Sequence, residues 1–184
     1  MVKLIADRWR YIRDLGQGGQ AKVVLVEDNK GDLPGQLALK KLHSGHSLKM
    51  YERFVRELKA IKEIQNPSIV KVFDHSSPES KEHYYVMEYI EGSKPLSKVF
   101  GNAANPFRGN PVASLDFFLE LLNALQACHS KDIVHRDLSP SNILIEPETQ
   151  SIKLIDFGLC QIENHERITL VDEGVEAGDL VSGA

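Results

Sequence analysis

A short hairpin flanked by acidic side chains constrains the fold of this chain more than any other feature. The apolar runs 143–145 and 152–155 are separated by a polar loop, which predicts two antiparallel strands joined by a turn. Such a hairpin returns Asp156 close to Asn142. Carboxylate and amide oxygens suit Mg²⁺, and Asp137, which precedes the hairpin, is free to accept a proton from a hydroxyl. The sequence therefore predicts a metal-assisted site at the open end of the hairpin.

The order of residues around this hairpin resembles the catalytic set of protein kinases. His-Arg-Asp occupies 135–137, Asn142 follows, and Asp-Phe-Gly occupies 156–158, in the order and spacing of that family. Either aspartate taken alone would be read as an ordinary turn residue. The resemblance implies that Asp137 orients and deprotonates a substrate hydroxyl, and that Asn142 and Asp156 hold Mg²⁺.

A glycine-containing turn near the start of the chain predicts a phosphate-binding loop between two strands. Gly16 and Gly18 allow the backbone to approach phosphate oxygens closely. A dinucleotide-binding fold needs a helix after the glycines, whereas a β-branched run follows here, and no Gly-Lys-Ser/Thr occurs in the chain. The segment is similar to the kinase glycine loop at Gly16, Gly18 and Val23, with Ala21 in place of its third glycine. An ordinary glycine-rich hairpin is the alternative.

The next segments supply a candidate cation and its partner. The run Leu37-Ala38-Leu39-Lys40 resembles the Val-Ala-Ile-Lys strand of kinases, which implies that Ala38 borders the nucleotide and that Lys40 binds its α- and β-phosphates. Apolar residues at helical spacing predict a helix over 48–64. Glu57 borders the apolar stripe of this helix, and we expect it to pair with Lys40 as the equivalent residues do in kinases.

Two further strands are predicted at 69–74 and 84–90, where apolar and aromatic residues lie between polar turns. The end of the second strand resembles the kinase hinge. The resemblance implies that backbone groups of Glu88 and Ile90 bind the adenine edge and that Met87 closes the back of the pocket. Met87 could equally be an ordinary core residue.

These elements together predict an α+β, protein-kinase-like bilobal fold. Residues 1–90 would form an N-lobe with a five-stranded antiparallel sheet and one helix, and residues 91–184 would form an incomplete, mainly helical C-lobe. In the second lobe a helix is predicted to start with Ser114 as its cap and to pack beneath the catalytic loop. The apolar residues assigned to its packed face are Leu115, Phe118, Leu119, Leu122 and Leu125.

Two features depart from the kinase pattern. Ser139 stands where serine/threonine kinases carry a lysine that helps to neutralise the transferred phosphoryl group. After 156–158 the chain continues to Ala184 without an Ala-Pro-Glu motif, so the tail resembles a shortened activation segment with Thr169 as a conceivable phosphorylation site. We expect a partner chain or a further C-terminal segment to cover the incomplete lobe.

Composition limits the possible partners and the compartment. The formal net charge of −4 gives no electrostatic reason to expect binding to nucleic acid or to an anionic membrane. We find no apolar run long enough to span a bilayer and no secretory signal, which predicts a cytoplasmic chain. The two cysteines, Cys128 and Cys160, lack metal-site spacing and are interpreted as reduced packing residues, and His43 and His46 as surface residues.

The function implied by the resemblance is ATP- and Mg²⁺-dependent phosphoryl transfer to serine and threonine hydroxyls of a protein substrate, by a protein serine/threonine kinase. The alternative is a nucleotide-binding pseudokinase or regulatory module that acts by contact with a partner. Intact Lys40, Glu57, Asp137, Asn142 and Asp156 favour the enzyme, whereas Ser139 and the short tail favour the module.

Overall fold

The computed structural model describes residues 3–102 and 105–162. The predicted activation tail, including Thr169, lies outside the described residues. Within them, no helix is long and apolar enough to cross a membrane. The compartment and the division into lobes at residue 90 stay predictions.

An antiparallel sheet forms the N-terminal part of the structure. It has six strands in the order β1-β2-β3-β4-β6-β5, one more than the five predicted. The extra strand, β1, pairs only two residues with the start of β2, and a strand of two residues is too short to show the alternation by which strands are recognised in sequence. The strands are β1 (Leu4–Ile5), β2 (Trp9–Gln17), β3 (Ala21–Asp28), β4 (Gln36–Leu42), β5 (Val72–His75) and β6 (Tyr84–Glu88).

The two faces of this sheet are covered by separate hydrophobic clusters, because successive residues of a strand point to opposite sides. The larger cluster takes Ala38 from β4 and Tyr85 from β6 and continues into the C-terminal elements. The smaller cluster takes their neighbours Leu39 and Tyr84 and is centred on Trp9, which is completely buried. The candidate active site lies on the side of the larger cluster.

Helix α1 (Leu48–Glu63) packs against the sheet on the side of the larger cluster. It begins after Ser47, whose side chain accepts a hydrogen bond from the backbone N–H of Met50, one of the two caps that the sequence suggests. The face turned to the core carries Phe54 and Glu57. Glu57 is therefore fully buried rather than at the border of the apolar stripe, and the residues assigned to that stripe, apart from the buried Ile61, are only half-buried: Tyr51, Val55 and Leu58.

Helix α3 (Pro111–His129) differs from its prediction at its start and in its packed face. Asn110 is the cap: its Oδ1 accepts a hydrogen bond from Ala113 N at 3.1 Å. Pro111 follows as the first helical residue, where its fixed φ and missing N–H cost nothing. The predicted cap, Ser114, lies inside the helix. The buried face is Phe117, Leu121, Ala124 and Cys128, whereas Leu115, Phe118, Leu119 and Leu122 of the predicted face are exposed.

Short strands beyond the sheet position the catalytic loop. The predicted hairpin is present as β9 (Ile143–Ile145) and β10 (Ile152–Leu154), with Leu154 opposite Ile143. Both of its ends are tied to neighbouring segments. In the region predicted to be a loose connection, β7 (Lys94–Pro95) pairs with β9 and leads into the short helix α2 (Leu96–Phe100). The remaining pair is β8 (Ile133–Val134) with β11 (Gln161–Ile162).

Candidate active site

Three charged side chains from distant parts of the chain meet beside the sheet. The Nζ of Lys40 donates to Glu57 Oε1 at 2.6 Å and to Asp156 Oδ1 at 3.2 Å. Lys40 comes from β4, Glu57 from α1 and Asp156 from the segment after β10. The predicted contact between Lys40 and Glu57 is thus present, and Asp156 joins it. The carboxylate of Asp156 is 46% exposed while that of Glu57 is 3% exposed, so Asp156 is the acid that can still meet a ligand.

The ionisation of these groups follows from burial and from their mutual contacts. Burial raises the pKa of the Glu57 carboxyl above its usual range, although the charge of Lys40 opposes the rise. Burial opposes ionisation of Lys40 and Asp156 as well. For Lys40 the two carboxylates outweigh it and raise the pKa, and for Asp156 the charge and hydrogen bond of Lys40 outweigh it and lower the pKa. The exposed acid is therefore held as a carboxylate beside a cation.

The loop after β8 holds the second set of polar groups. Asn142 donates from Nδ2 to the carbonyl oxygen of Asp137 at 2.9 Å and to its Oδ2 at 3.1 Å. Because the amide nitrogen is used in this way, Oδ1 is the atom that remains to face a metal ion. The backbone N–H of Asn142 donates to Ser139 O at 2.9 Å, which closes the loop into a turn.

Buried His135 supports this loop from beneath. Its imidazole is 2% exposed and packs on the ring of Phe157, with 4.5 Å between ring centroids. The N–H of Asp137 donates to Nδ1 at 3.3 Å, and Nε2 lies 3.3 Å from Ile155 O. Burial lowers the pKa of His135, in keeping with a neutral ring that accepts at Nδ1 and donates at Nε2. One side chain thus fixes both Asp137 and the strand end before Asp156.

The hairpin brings Asp156 to Asn142 as the sequence predicts. The N–H of Ile155 donates to Asn142 O at 2.9 Å. Asp156 then takes a left-handed backbone conformation with a φ of 63°, which short polar side chains tolerate. The N–H of Gly158 donates to Asp156 Oδ1 at 3.2 Å, and a Cβ at residue 158 would lie 3.0 Å from that same oxygen. A glycine at 158 therefore leaves room for the carboxylate.

The turn between β2 and β3 is held by main-chain bonds. Gly18 N donates to Ala21 O at 2.9 Å, and Gly16 lies opposite Val23 in the sheet. A Cβ at Gly16 would meet no atom within 4 Å, and one at Gly18 would only touch Ala21 O at 3.8 Å. Neither glycine is required by contacts within the described fold, and the space beside them suits a ligand whose phosphates approach the backbone.

The predicted adenine-binding residues lie along β4 and the end of β6. Ala38 and Met87 are opposite each other in the sheet and both are buried, so Met87 is a core residue whether or not it also closes a pocket. Glu88 is anchored by Lys153, whose Nζ lies 2.9 Å from both carboxylate oxygens. The carbonyl of Ile90 accepts from Ser93 N at 3.2 Å. The geometry fixes this segment, and the part it plays in binding stays a prediction.

Two residues of this site escaped sequence analysis. Tyr85, on β6, donates from its hydroxyl to Glu57 Oε1 at 2.9 Å, and its position in an apolar strand gives no sign of that bond. His135 was noted only as part of a motif, without a role. Its neighbours, Asp137 and Phe157, carried the signal that could have marked it.

The side chains present fit Mg²⁺ with a nucleotide. Among residues 3–102 and 105–162 no group of three or more His, Cys, Asp or Glu side chains could hold a metal ion. Mg²⁺ does not need such a cage, because it is commonly held by one or two protein oxygens together with phosphates and water. Asp156 and Oδ1 of Asn142 would supply these oxygens, and Lys40 and the glycine turn would face the phosphates.

Comparison with known families agrees with this geometry. The sequence model described as "Protein kinase domain" matches residues 9–174. The chain therefore belongs to the protein kinase domain family, and the predicted kinase-like fold is confirmed.

Individual relatives are serine/threonine protein kinases by name. The chain is 34% identical over 173 residues to the probable serine/threonine-protein kinase PknB of Lactococcus lactis, a match that covers 91% of this chain and 26% of that protein. It is 32% identical over 167 residues to the serine/threonine-protein kinase PrkC of Bacillus subtilis, covering 91% and 25%. For CBL-interacting protein kinase 9 of Oryza sativa the identity is 34%, covering 83% and 32%. The chain thus spans about a quarter to a third of the length of these relatives.

Proposed function

We propose that this chain carries the nucleotide-binding and catalytic residues of a protein serine/threonine kinase, which transfers the γ-phosphoryl group of Mg·ATP to a protein hydroxyl. The observation that carries the proposal is the meeting of Lys40, Glu57 and Asp156, together with the bond between Asn142 and Asp137. A cation, an exposed carboxylate, an amide oxygen and a second carboxylate are the groups that this reaction uses.

Each of these residues has a distinct role in the proposal. Lys40, held by Glu57, binds the α- and β-phosphates, and Asp156 and Asn142 hold Mg²⁺, which neutralises charge on the phosphates. Asp137 accepts the proton of the substrate hydroxyl. As the hydroxyl oxygen bonds to the γ-phosphorus, the bond from that phosphorus to the β,γ-bridging oxygen breaks and ADP leaves.

The nucleotide would lie between the glycine turn and the end of β6. Gly16, Gly18, Ala21 and Val23 would cover the phosphates, while the adenine would rest near Ala38 and Met87 and bond to the backbone at Glu88 and Ile90. The openness around the two glycines supports this placement.

Calorimetric titration with Mg·ATP tests the binding half of the proposal. The variants are Asp156→Asn, which removes the exposed carboxylate, and Asp116→Asn, a control at an exposed position on α3. We expect Asp156→Asn to weaken binding at least tenfold and Asp116→Asn to leave it unchanged. Equal binding by all three proteins would contradict the assignment of the site.

Transfer of γ-phosphate to a mixture of serine- and threonine-containing proteins tests the catalytic half. Asp137→Asn should retain Mg·ATP binding and lose at least a hundredfold in transfer rate, because the group that accepts the proton is removed. Metal-dependent binding without any transfer by the unsubstituted chain would favour the regulatory-module alternative. No binding by the folded chain would refute both functions.

A further inference from the structure

The ring of Tyr85 lies directly beneath the pair formed by Lys40 and Glu57. It is 1% exposed, its hydroxyl is 2.9 Å from Glu57 Oε1, and the Nζ of Lys40 is 5.9 Å from its ring centroid. The sheet register explains this position, because Tyr85 is directly opposite Lys40 in the pairing of β4 with β6. Phe54 of α1 packs on the same ring, with 5.2 Å between centroids.

One oxygen of Glu57 therefore receives two hydrogen bonds from two different strands. Oε1 accepts from Lys40 Nζ at 2.6 Å and from Tyr85 Oη at 2.9 Å. A glutamate on a helix has several rotatable bonds, and the flexible Lys40 alone cannot fix its direction. The tyrosine ring is wedged in the core and its hydroxyl is in a set place, so it can define where the carboxylate sits and hence where Lys40 is held.

The chemistry of a buried hydroxyl also favours a specific role. Placing a hydroxyl in the core costs free energy unless it is hydrogen-bonded, and a phenylalanine would fill the same volume without that cost. Burial raises the pKa of Tyr85 well above its usual value, and the charge of Glu57 raises it further. The hydroxyl thus keeps its proton and remains a donor.

We propose that Tyr85 is a positioning residue of the nucleotide site, whose hydroxyl holds the Glu57 carboxylate in the orientation that aims Lys40 at the phosphates of ATP. This inference rests on the proposed function. Tyr85 itself does not touch the nucleotide and acts through Glu57.

The test compares Tyr85→Phe with Tyr84→Phe. The first removes only the hydroxyl and retains the ring contact with Phe54. The second removes a hydroxyl from the adjacent tyrosine, which lies in the cluster on the other face of the sheet. We expect Tyr85→Phe to lower kcat/KM for Mg·ATP and its binding constant about tenfold, the effect of losing one hydrogen bond to a charged group. Tyr84→Phe should change neither by more than twofold, and KM for the protein substrate should be unaltered in both.

A double-substitution cycle with Glu57→Gln separates positioning from a general structural effect. If Tyr85 acts through the Glu57 carboxylate, Tyr85→Phe should weaken Mg·ATP binding by less than twofold once Glu57 is Gln. The same tenfold loss in both backgrounds would overturn the proposal, as would a Tyr85→Phe protein that binds like the unsubstituted chain.

Two controls complete the experiment. Circular dichroism and thermal unfolding establish that Tyr85→Phe is folded. Tyr85→Met, a second variant without the hydroxyl, should show the same binding defect with a larger loss of stability, and normal binding by a folded Tyr85→Met protein would refute the role of the hydroxyl. Absence of Mg·ATP binding by the unsubstituted chain would instead refute the proposed function, and this inference with it.

Discussion

Lys40 shares one positive charge between two carboxylates of unlike exposure. Glu57 is deep in the core and Asp156 faces the cleft. Two buried charges repay their loss of hydration only while both are present, and removing one leaves the other without compensation. The pair is therefore sensitive to single substitutions in stability as well as in activity.

Substitution of Lys40 should separate these two effects. Lys40→Met is expected to abolish Mg·ATP-dependent transfer and to lower the free energy of unfolding by about 3 kcal/mol, because Glu57 is left buried without its cation. In the double variant Lys40→Met/Glu57→Gln we expect most of that stability to return while transfer stays absent. Urea denaturation and a transfer assay measure the two quantities.

Lys41 provides the matched control. It is adjacent in β4, and its Nζ contacts Glu82 at 2.6 Å in a pair that is partly exposed. Exposed pairs contribute little, so Lys41→Met should change the unfolding free energy by less than about 1 kcal/mol. An equal loss for the two lysine variants would show that the pair with Glu57 is not special.

At the scale of residues, sequence could identify the groups that belong to a motif and no others. Lys40, Glu57, Asp137, Asn142 and Asp156 were all named from their order and spacing, although their catalytic roles stay predictions. The bond of Tyr85 could not be anticipated. Whether a tyrosine in an apolar strand finds a partner depends on which side chain of a distant helix reaches it.

At the scale of elements, a guanidinium joins the start of β2 to the end of β3. Arg8 donates from Nε to Asp28 Oδ1 at 2.9 Å and from a terminal nitrogen to Oδ2 at 2.8 Å. The backbone N–H groups of Lys30 and Leu33 donate to the same carboxylate. These bonds, led by that of Arg8, hold the pKa of Asp28 well below its usual range.

This contact predicts an acid-dependent loss of stability. Because the pKa of Asp28 is lower in the folded than in the unfolded chain, its contribution is fully present above about pH 4 and is lost as the pH falls further. Asp28→Asn should lower Tm by roughly 5–10 °C at pH 7, and the difference from the unsubstituted chain should shrink at pH 3. Asp32→Asn, which removes the more exposed partner of Arg8, should change Tm little. Thermal scans from pH 7 to pH 3 compare the three proteins.

Helix α3 shows why the helix was predictable and its packed face was not. Apolar residues occur in adjacent pairs, such as Phe117 with Phe118 and Leu121 with Leu122, so helical spacing is satisfied on two faces. Spacing alone cannot choose between them. The structure buries the first member of each pair and exposes the second.

Truncation of the two adjacent leucines should reveal the packed face. Leu121→Ala should lower the free energy of unfolding by about 2–4 kcal/mol, because it opens a cavity in the core, whereas Leu122→Ala, at a side chain 60% exposed, should change it by about 0.5 kcal/mol or less. Equal losses measured by urea denaturation would contradict the orientation of α3.

For the whole molecule, the sequence predicted a sheet followed by a helix-supported catalytic loop, and the family match and the structure confirm that arrangement. Its errors concern short elements: β1 and β7 contain two residues each and are formed by pairing with longer strands rather than by any pattern of their own. Local sequence cannot specify strands whose stability comes from their neighbours.

Because the proposed nucleotide site combines groups from both parts of the chain, its ligand should stabilise the molecule as a whole. At a concentration of Mg·ATP a hundred times its Kd, we expect about 2.7 kcal/mol of added stability, or a rise in Tm of about 5–10 °C. Chelation of Mg²⁺ or the substitution Asp156→Asn should remove most of the rise. A Tm that does not respond to Mg·ATP would count against the site.

The chain has a single tryptophan, Trp9, and it lies in the smaller cluster, on the opposite face of the sheet from the candidate active site. Its indole emission will therefore be sensitive to the surroundings of that cluster alone. Arg8, whose guanidinium carbon is 4.5 Å from the ring centroid, adds a local quenching group. Fluorescence and far-ultraviolet dichroism recorded on one denaturant series would thus act as two optical channels, and non-coincident midpoints would reveal that the two faces of the sheet come apart in separate steps.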